Sequence, residues 1–440
     1  MTRPRTFKIV ELGCPKSEVD ASWLAASLED GGLERVWDDD EPADVTIVNT
    51  CAFLSETKKA SIDALASLAA RGDTMVVAFG CLVEVYPREA ERFSDVALGL
   101  ADVTRALEAI DAVAAGRPFA RSRRKGALPG ELLCRSLPAR NYQYVKVAEG
   151  CSNFCRYCRI PQIRGRFKSR PMDHIVREVE ALFEASTDEV VLVAQDLTRW
   201  GEDIYGRPRL DALLEELVRI ARDRWIRLLY LHPARLTKRL VELVASHPQI
   251  CSYLDIPIQH ISDGVLARMG RPHGVKNPRF MIEWIRENYP DIALRTTVIV
   301  GYPYETERDF RSLYDFCRTV EFDHLGVFAF SPEPRTPAAR VKQAVPDEVR
   351  QRRLVAMEQL AQRTAERRNR RLVGRVMTML LNPDVESTGE AAYRTEYQAP
   401  EIDGVVWVET NRRGRPRNRI TAEVLGAVGF DCFAVEVSRR

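Results

Sequence analysis

The sequence predicts an α/β protein with an N-terminal α/β domain containing a parallel sheet, a central partial (β/α)6 barrel and a small C-terminal antiparallel β-barrel of the OB-like kind. Three observations support this. Apolar runs alternate with amphipathic segments up to residue 116, six further repeats of this kind begin at residue 142, and short β-rich runs end the chain. A chain of 440 residues has room for three domains, since a domain usually holds about 100 to 200 residues.

The N-terminal domain is predicted to span residues 1–120. Its strands are expected at the apolar runs FKIVELG, DVTIVNT and TMVVAFG, and the helical segments between them favour parallel pairing. Ser55 is expected to cap the helix between the second and third runs, and Gly72 to follow its last turn. Residues 121–140 contain the basic run RSRRK and little periodicity, and they are predicted to form a linker.

The barrel is predicted to span residues 141–372. Its six strands are expected at YQYVKVA, EVVLVAQ, WIRLLYL, SYLDIPI, IALRTTVIV and HLGVFAF, each separated from the next by a helical segment. In such a barrel the functional residues lie at the carboxyl ends of the strands. A long polar helix over about 347–372 follows. The last domain, 373–440, is predicted to contain the strands VMTMLL, GVVWVET, ITAEVLGAV and FAVEVS.

Composition excludes several classes of protein. Hydrophobic residues at 45% and charged residues at 29% are typical of folded globular chains, and no apolar stretch or secretory signal suggests a membrane span or export. We therefore expect a cytoplasmic protein without a membrane partner. A net charge of +2 confines any contact with a polyanion to a local patch. Ten cysteines in such a chain indicate metal binding or catalysis rather than a disulfide framework.

The segment GCSNFCRYC, directly after the first barrel run, places Cys151, Cys155 and Cys158 in a C-x3-C-x2-C pattern. Three thiolates favour an iron–sulfur cluster over structural zinc, because zinc normally takes four ligands and neither a second C-x2-C pair nor an H-x3-H pair lies nearby. A four-iron cluster held by three cysteines leaves one iron open to a small molecule.

A second set of thiols follows the three N-terminal strands. Cys14, Cys51 and Cys81 each come after one apolar run, and the carboxyl ends of parallel strands share one edge of a sheet. These positions predict a second three-thiolate site, although a single buried cysteine at a strand end is more often a small apolar residue. The remaining thiols are expected in the core or on the surface: Cys134, Cys251, Cys317 and Cys432.

These residues resemble a known family. The barrel cysteines with Tyr157 are similar to the radical S-adenosylmethionine signature, the N-terminal cysteines resemble the extra cluster of the methylthiotransferases, and YRTEYQAPEIDGVVWVET resembles a TRAM domain. Within the family, the chain resembles the RimO branch of ribosomal protein methylthiotransferases through LGCPKSEVD, VAQDLTRWGEDIYG, PIQHISDGVLARMGRPH, LRTTVIVGYP and APEIDG. The tRNA-modifying MiaB branch would be expected to show YGCQMN and GQNVNSYG, and neither segment occurs here.

The resemblance implies a transferase that adds a methylthio group to the β-carbon of an aspartate on the twelfth protein of the small ribosomal subunit. It also implies two [4Fe-4S] clusters, S-adenosylmethionine as radical source and methyl donor, and a flavodoxin-like or ferredoxin-like reductant. Expected cofactor contacts at or near the barrel strand ends are Tyr157, Gln195, Asp196, Gln259, Arg295, Thr297 and the segment Gly301 to Pro303. Structural alternatives remain: an ion pair for Arg295, a loop cap for Gln259 and a turn with positive φ for Gly301.

The sequence departs from the family pattern at three places. Tyr304 and Arg335 stand where the family has glycine, and Ser22 stands where it has glutamate. Large side chains at the barrel mouth would change the shape of the substrate pocket, so a paralogue that acts on tRNA or another peptide is a second interpretation. A third is a non-enzymatic RNA-binding protein with structural metal sites.

Two further features have functional and structural interpretations. His260 and His273 flank a loop near the expected mouth, where a structural role is the more common one. The basic segments RTAERRNRRL and NRRGRPRNR are either solvated faces or contacts to ribosomal RNA or a target protein, the second segment lying in the TRAM-like domain.

Overall fold

The structure is a computed structural model that describes residues 4–38, 40–122, 124–125, 128, 137–138, 140–383, 385, 391–409 and 416–437. Cys134 and residues 411–415 of the basic segment NRRGRPRNR lie outside the described residues. None of the described helices is long and apolar enough to cross a membrane.

The N-terminal domain is a five-stranded parallel sheet with the strand order β2-β1-β3-β4-β5. Its strands are β1 Thr6–Glu11, β2 Glu34–Arg35, β3 Val45–Thr50, β4 Met75–Gly80 and β5 Val96–Leu98. Its helices are α1 Pro15–Asp30, α2 Ser55–Arg71, α3 Cys81–Val85, α4 Pro87–Glu91 and α5 Ala106–Ala114. The three predicted strands are confirmed. The sequence missed β2 and β5, which are too short to produce a recognisable apolar run.

The predicted cap of α2 is wrong by one residue. Leu54 occupies the N-cap position, and Ser55 is the first helical residue. The Ser55 hydroxyl instead donates to the Glu333 carboxylate of the barrel at 3.1 Å. Gly72 ends the helix as predicted, with a left-handed φ of 65° that favours glycine.

The barrel contains six parallel strands in two consecutive sheets of three, joined by a bridge between residues 226 and 250. Its strands are β6 Tyr142–Lys146, β9 Glu189–Val193, β10 Trp225–Leu228, β11 Tyr253–Asp255, β12 Ala293–Val300 and β13 His324–Ala329, with a small hairpin of β7 Ala148–Glu149 and β8 Lys168–Ser169. The six predicted strands are confirmed.

The helices of this part are α6 Ile160–Arg164, α7 Met172–Glu184, α8 Glu202–Tyr205, α9 Leu210–Ala221, α10 Lys238–Ser246, α11 Asp263–Met269, α12 Pro278–Asn288, α13 Glu307–Val320 and α14 Asp347–Asn369. The predicted long polar helix corresponds to α14. It ends three residues earlier than expected, because residues 370–372 form a 3-10 turn.

The C-terminal domain is a closed barrel with the strand order β14-β15-β16-β18-β17. Its strands are β14 Val376–Leu381, β15 Ala391–Arg394, β16 Val406–Glu409, β17 Arg419–Val428 and β18 Asp431–Glu436. The small barrel is confirmed with two additions. The sequence missed β15, and β16 pairs with β18 in parallel, so the barrel is antiparallel at four of its five pairings.

One hydrophobic cluster joins all three parts of the chain. It includes Trp23 from the N-terminal domain, Tyr144 from the barrel and Leu380 from the C-terminal domain, all buried. Burial of such large side chains stabilises by about 1.5–3 kcal/mol each. The three parts therefore pack against one another, which fixes the N-terminal cysteines relative to the barrel.

The two residues that replace the family's glycines adopt a backbone conformation that favours glycine. Tyr304 has a φ of 66° and Arg335 a φ of 67°. A side chain with a β-carbon in this left-handed region costs about 1–2 kcal/mol. The glycine pattern of the family thus reflects the turn that the backbone makes at each position.

We expect the variant Arg335→Gly to have a free energy of unfolding about 1 kcal/mol higher than that of Arg335→Ala, measured by urea denaturation. Both changes remove the exposed side chain, but only glycine relieves the left-handed strain. The backbone oxygen that accepts from Gln162 is present in both variants. Equal stability of the two variants would contradict a strained backbone at this position.

Candidate active site

The barrel cysteines occupy the loop between β7 and α6, beyond the carboxyl end of β6. Gly150 precedes the loop with a φ of 70°, and a β-carbon there would lie 2.3 Å from the Arg166 carbonyl oxygen. The Cys151 amide donates to the Gly165 oxygen at 3.1 Å, which closes the loop. Burial, together with the neighbouring Cys155 and Cys151 thiols, raises the pKa of Cys158 to about 12. The three thiols lie on one short loop, and their joint binding of a cluster stays a prediction.

The N-terminal cysteines lie at one edge of the sheet. Cys14 immediately precedes α1, Cys51 follows β3, and Cys81 begins α3 directly after β4. Because β1, β3 and β4 are parallel neighbours, their carboxyl ends meet there. Burial, reinforced by the nearby Cys51 and Cys14, raises the pKa of Cys81 to about 12 against the opposing effect of Arg164. The three cysteines therefore lie at one edge of the sheet, and the site that they are expected to form stays a prediction.

The chemistry of both sets of cysteines fits an iron–sulfur cluster, because a cubane takes one thiolate on each of several irons and thiolates are its preferred donors. Within the described parts of the chain, no three His, Cys, Asp or Glu side chains are placed to hold a single metal ion. Burial alone would raise the pKa of Cys14, but Lys16 and Arg164 lower it below its usual value. Positive charge at this site thus favours the thiolate.

Asp196 anchors the loop of the barrel cysteines. It is buried after β9, and its carboxylate accepts from Asn153 Nδ2 at 2.8 Å and from Arg235 at 2.9 Å. Asn153 lies between Cys151 and Cys155, so Asp196 holds the loop from the strand end. Gln195 is half-buried beside it. Both residues occupy the predicted carboxyl end of a strand, and their contact with a cofactor stays a prediction.

Tyr157 and Arg271 lie at the other side of the cysteine loop. The Tyr157 ring packs edge-on against Tyr302, with 6.5 Å between the ring centroids. Arg271 is buried, and Tyr157 and Cys155 raise its pKa although burial opposes the charge. Among the described residues, no atom accepts a hydrogen bond from its Nε. The sequence missed Arg271, because a single arginine after the turn at Gly270 carries no distinguishing pattern.

Gln259 and Gly301 both have structural roles in the backbone. Gln259 has a φ of 69°, and its amide donates to the Thr297 oxygen at 2.8 Å, extending the pairing between the fourth and fifth barrel strands. Gly301 has a φ of 73°, and a β-carbon there would lie 2.3 Å from Arg350. The turn with positive φ expected as the alternative for Gly301 is therefore present, while Gln259 takes part in backbone pairing rather than a loop cap. The cofactor contacts of both residues, and of Thr297, stay predictions.

Arg295 is the third residue of β12 and lies opposite Asp255, the last residue of β11. Its expected contact with a cofactor stays a prediction. Its guanidinium pairs with Asp255 at 3.2 Å and with Asp403 of the C-terminal domain at 3.3 Å. Two carboxylates of this chain thus engage it, which matches the ion-pair alternative.

The remaining candidates have structural surroundings. His260 is buried, its Nδ1 accepts from the Ser262 amide at 2.9 Å, and burial lowers its pKa to about 4. Exposed His273 contacts the Arg271 carbonyl at 2.9 Å. The described unassigned cysteines are buried core thiols: Cys251, Cys317 and Cys432.

A six-stranded parallel barrel with a C-x3-C-x2-C loop after its first strand defines the class of radical S-adenosylmethionine enzymes. Family models match residues 145–317 (Radical SAM superfamily), 6–100 (Uncharacterized protein family UPF0004) and 373–437 (TRAM domain). The predicted domain boundaries themselves stay predictions.

Similar proteins identify the family. The chain is 38% identical over 424 residues to the ribosomal protein uS12 methylthiotransferase RimO of Desulfitobacterium hafniense (strain Y51), covering 93% of each chain. It is 40% identical over 417 residues to the RimO protein of Syntrophotalea carbinolica, covering 92% of this chain and 91% of that one. The chain belongs to the RimO family of radical S-adenosylmethionine methylthiotransferases.

A solved structure shares the fold. The radical S-adenosylmethionine methyltransferase TsrM from Kitasatospora setae superposes with a TM-score of 0.57 at 16% sequence identity, covering 76% of this chain and 75% of that one. At this identity the likeness concerns the arrangement of strands and helices, and it agrees with the predicted fold class.

Proposed function

We propose that this protein attaches a methylthio group to the β-carbon of an aspartate in ribosomal protein uS12. The observation that carries the proposal is the presence of two separate groups of three thiols in a chain that matches RimO proteins over more than nine-tenths of its length. The alternatives with a tRNA substrate or a purely structural role are not favoured, because these relatives are named for uS12 and for a transferase activity.

The chemistry explains why two sets of three cysteines are needed. An aliphatic C–H bond has no proton acidic enough for a side-chain base, so functionalising it requires a cofactor. When bound, two [4Fe-4S] clusters and S-adenosylmethionine would supply hydrogen-atom abstraction, sulfur and a methyl group. We assign Cys151, Cys155 and Cys158 to the cluster that binds S-adenosylmethionine, and Cys14, Cys51 and Cys81 to the cluster at which sulfur is delivered.

The residues around the thiols hold and orient these groups. Asp196 fixes the cysteine loop through Asn153, and the fold of the loop depends on Gly150. Arg271 presents a buried Nε beside Tyr157 and Cys155 without a partner among the described residues, which suits a polar group of a bound cofactor. The shared hydrophobic cluster fixes the N-terminal domain relative to the barrel.

Two partners follow from this function. A low-potential cluster requires a one-electron donor, and we assign a flavodoxin-like or ferredoxin-like protein to that role. The C-terminal barrel matches a TRAM domain, and the exposed basic residue Arg417 lies in it, whereas Arg419 pairs with Asp223 at 2.9 Å. We assign it to recognition of ribosomal RNA or of the target protein.

The test is the mass of uS12 from cells with and without this gene. We expect a gain of about 46 Da, one sulfur plus one CH₂, on a single aspartate-containing peptide. The gain should be absent in cells that express Cys151→Ala, and absent from uS12 in which that aspartate is alanine. An unchanged uS12 together with a gene-dependent methylthio group on tRNA or another peptide would contradict the proposal.

A further inference from the structure

Four charged side chains are buried between the N-terminal domain and the barrel. Asp20 comes from α1, while Lys146, Glu149 and Arg164 come from β6, β7 and α6. Lys146 contacts Asp20 and lies 2.6 Å from Glu149, and Arg164 Nη1 lies 2.8 Å from Asp20 and 3.1 Å from Glu149. Two cations therefore face two carboxylates, and the charges of the cluster balance.

Arg164 does more than balance these charges. Its Nη1 makes all of its contacts with the two carboxylates, whereas its Nη2 donates to Cys81 Sγ at 3.5 Å. An arginine that serves only an ion pair commonly presents two nitrogens to one carboxylate. Here one nitrogen is instead directed at a thiol of the N-terminal group.

The network of four buried charges also reaches the loop of the barrel cysteines. Glu149 Oε1 accepts from the Gly150 amide at 2.9 Å, and Gly150 directly precedes Cys151. Arg164 ends α6, the helix that follows the cysteine loop. A continuous chain of contacts thus runs from the backbone beside Cys151 through Glu149 and Arg164 to Cys81.

We propose that Arg164 is a positioning residue that raises the reduction potential of the cluster on Cys14, Cys51 and Cys81 and fixes that cluster relative to the barrel loop. The inference rests on the proposed assignment of that cluster. A one-electron reduction makes an iron–sulfur cluster more negative, and an N–H donor with a positive charge at a ligand sulfur stabilises the reduced form.

Lys146 provides a matched control. It is a buried cation with the same two carboxylate partners, and its ammonium lies 4.7 Å from the centre of the Trp23 ring. In the described structure it contacts no cysteine. Arg164→Met and Lys146→Met each remove one positive charge from the network of four buried charges. Only Arg164→Met also removes a hydrogen-bond donor to sulfur.

The experiment uses the full chain with Cys151, Cys155 and Cys158 replaced by alanine, reconstituted anaerobically with iron and sulfide. About four irons per chain then belong to the N-terminal group. The midpoint potential is measured by titration with dithionite and redox mediators, followed by electron paramagnetic resonance. We expect Arg164→Met to shift the midpoint to a more negative potential, and Lys146→Met to shift it less.

Arg164→Lys is the second variant and carries the test if Arg164→Met does not retain iron. The lysine side chain keeps the positive charge but has a single nitrogen, for which the two carboxylates compete with Cys81. The midpoint potential of this variant should therefore also be more negative than that of the parent. Equal shifts of the midpoint potential in Arg164→Met and Lys146→Met would overturn the inference. So would an Arg164 variant that keeps its full iron and shows no shift. Neither result would affect the cluster assignment. A parent that binds no iron would overturn the cluster assignment as well.

Discussion

Replacing Cys151, Cys155 and Cys158 with alanine is expected to abolish cleavage of S-adenosylmethionine and to remove about half of roughly eight bound irons. The reason is that an iron without a protein ligand is the binding site for the cofactor, and these cysteines hold the cluster that provides it. Replacing Cys14, Cys51 and Cys81 should also remove about half of the iron, but cleavage should persist. Iron analysis and chromatography of the cleavage products measure both effects.

The control for this experiment is Cys317→Ala. Cys317 is fully buried in the hydrophobic core of the barrel, and burial raises the pKa of its thiol. Its removal leaves a small cavity and should change neither iron content nor cleavage. Loss of all iron from either triple variant, or of none, would contradict the assignment of two independent clusters.

Much of this architecture could be predicted because its signals are local. The barrel strands β6, β9 and β10 are buried at every residue, as expected for parallel strands covered on both faces. Cys14, Cys51 and Cys81 are distant in the sequence, but each follows a strand of one parallel sheet. Topology alone therefore predicted their grouping at one edge.

The contacts between domains could not be predicted in the same way. Asp20 and Arg164 are 144 positions apart, and neither has a sequence environment that distinguishes it from an exposed helical residue. Arg295 occupies an apolar run that correctly predicted a strand, yet its partner Asp403 belongs to another domain. Pairing of charges across an interface depends on how the folded domains pack against each other. The hydrophobic periodicity of the sequence contains no information about that packing.

Another of these unpredicted contacts joins the barrel to the C-terminal domain. Glu189 is the first residue of β9 and is completely buried. It accepts from Arg227 Nε at 2.5 Å and from Arg394 of β15 at 2.7 Å, and both arginines are buried. Arg394 also donates to the Leu381 oxygen at 2.8 Å. One carboxylate therefore holds two guanidinium groups at the base of the barrel.

We expect Glu189→Ala to lower the free energy of unfolding by about 3–5 kcal/mol, because it leaves two buried positive charges without a carboxylate. Glu216→Ala is the control, since its partner Arg219 is exposed on the same helix, and that change should cost about 0–1 kcal/mol. Denaturation in urea at neutral pH measures both. A loss of similar size in the two variants would contradict the role of the buried carboxylate.

The pH dependence provides an independent check on the same contact. Burial would raise the pKa of Glu189, but Arg227 and Arg394 lower it below the usual value of 4.5. A lowered pKa in the folded state means that the stabilisation is fully present above the unfolded pKa and is lost as the pH falls through the folded pKa. The difference in stability between the wild type and Glu189→Ala should therefore stay constant from neutral pH down to about 5 and narrow below it. A difference that widens in acid would show that the buried carboxylate is protonated in the native protein, and the two arginines would then need another counter-charge.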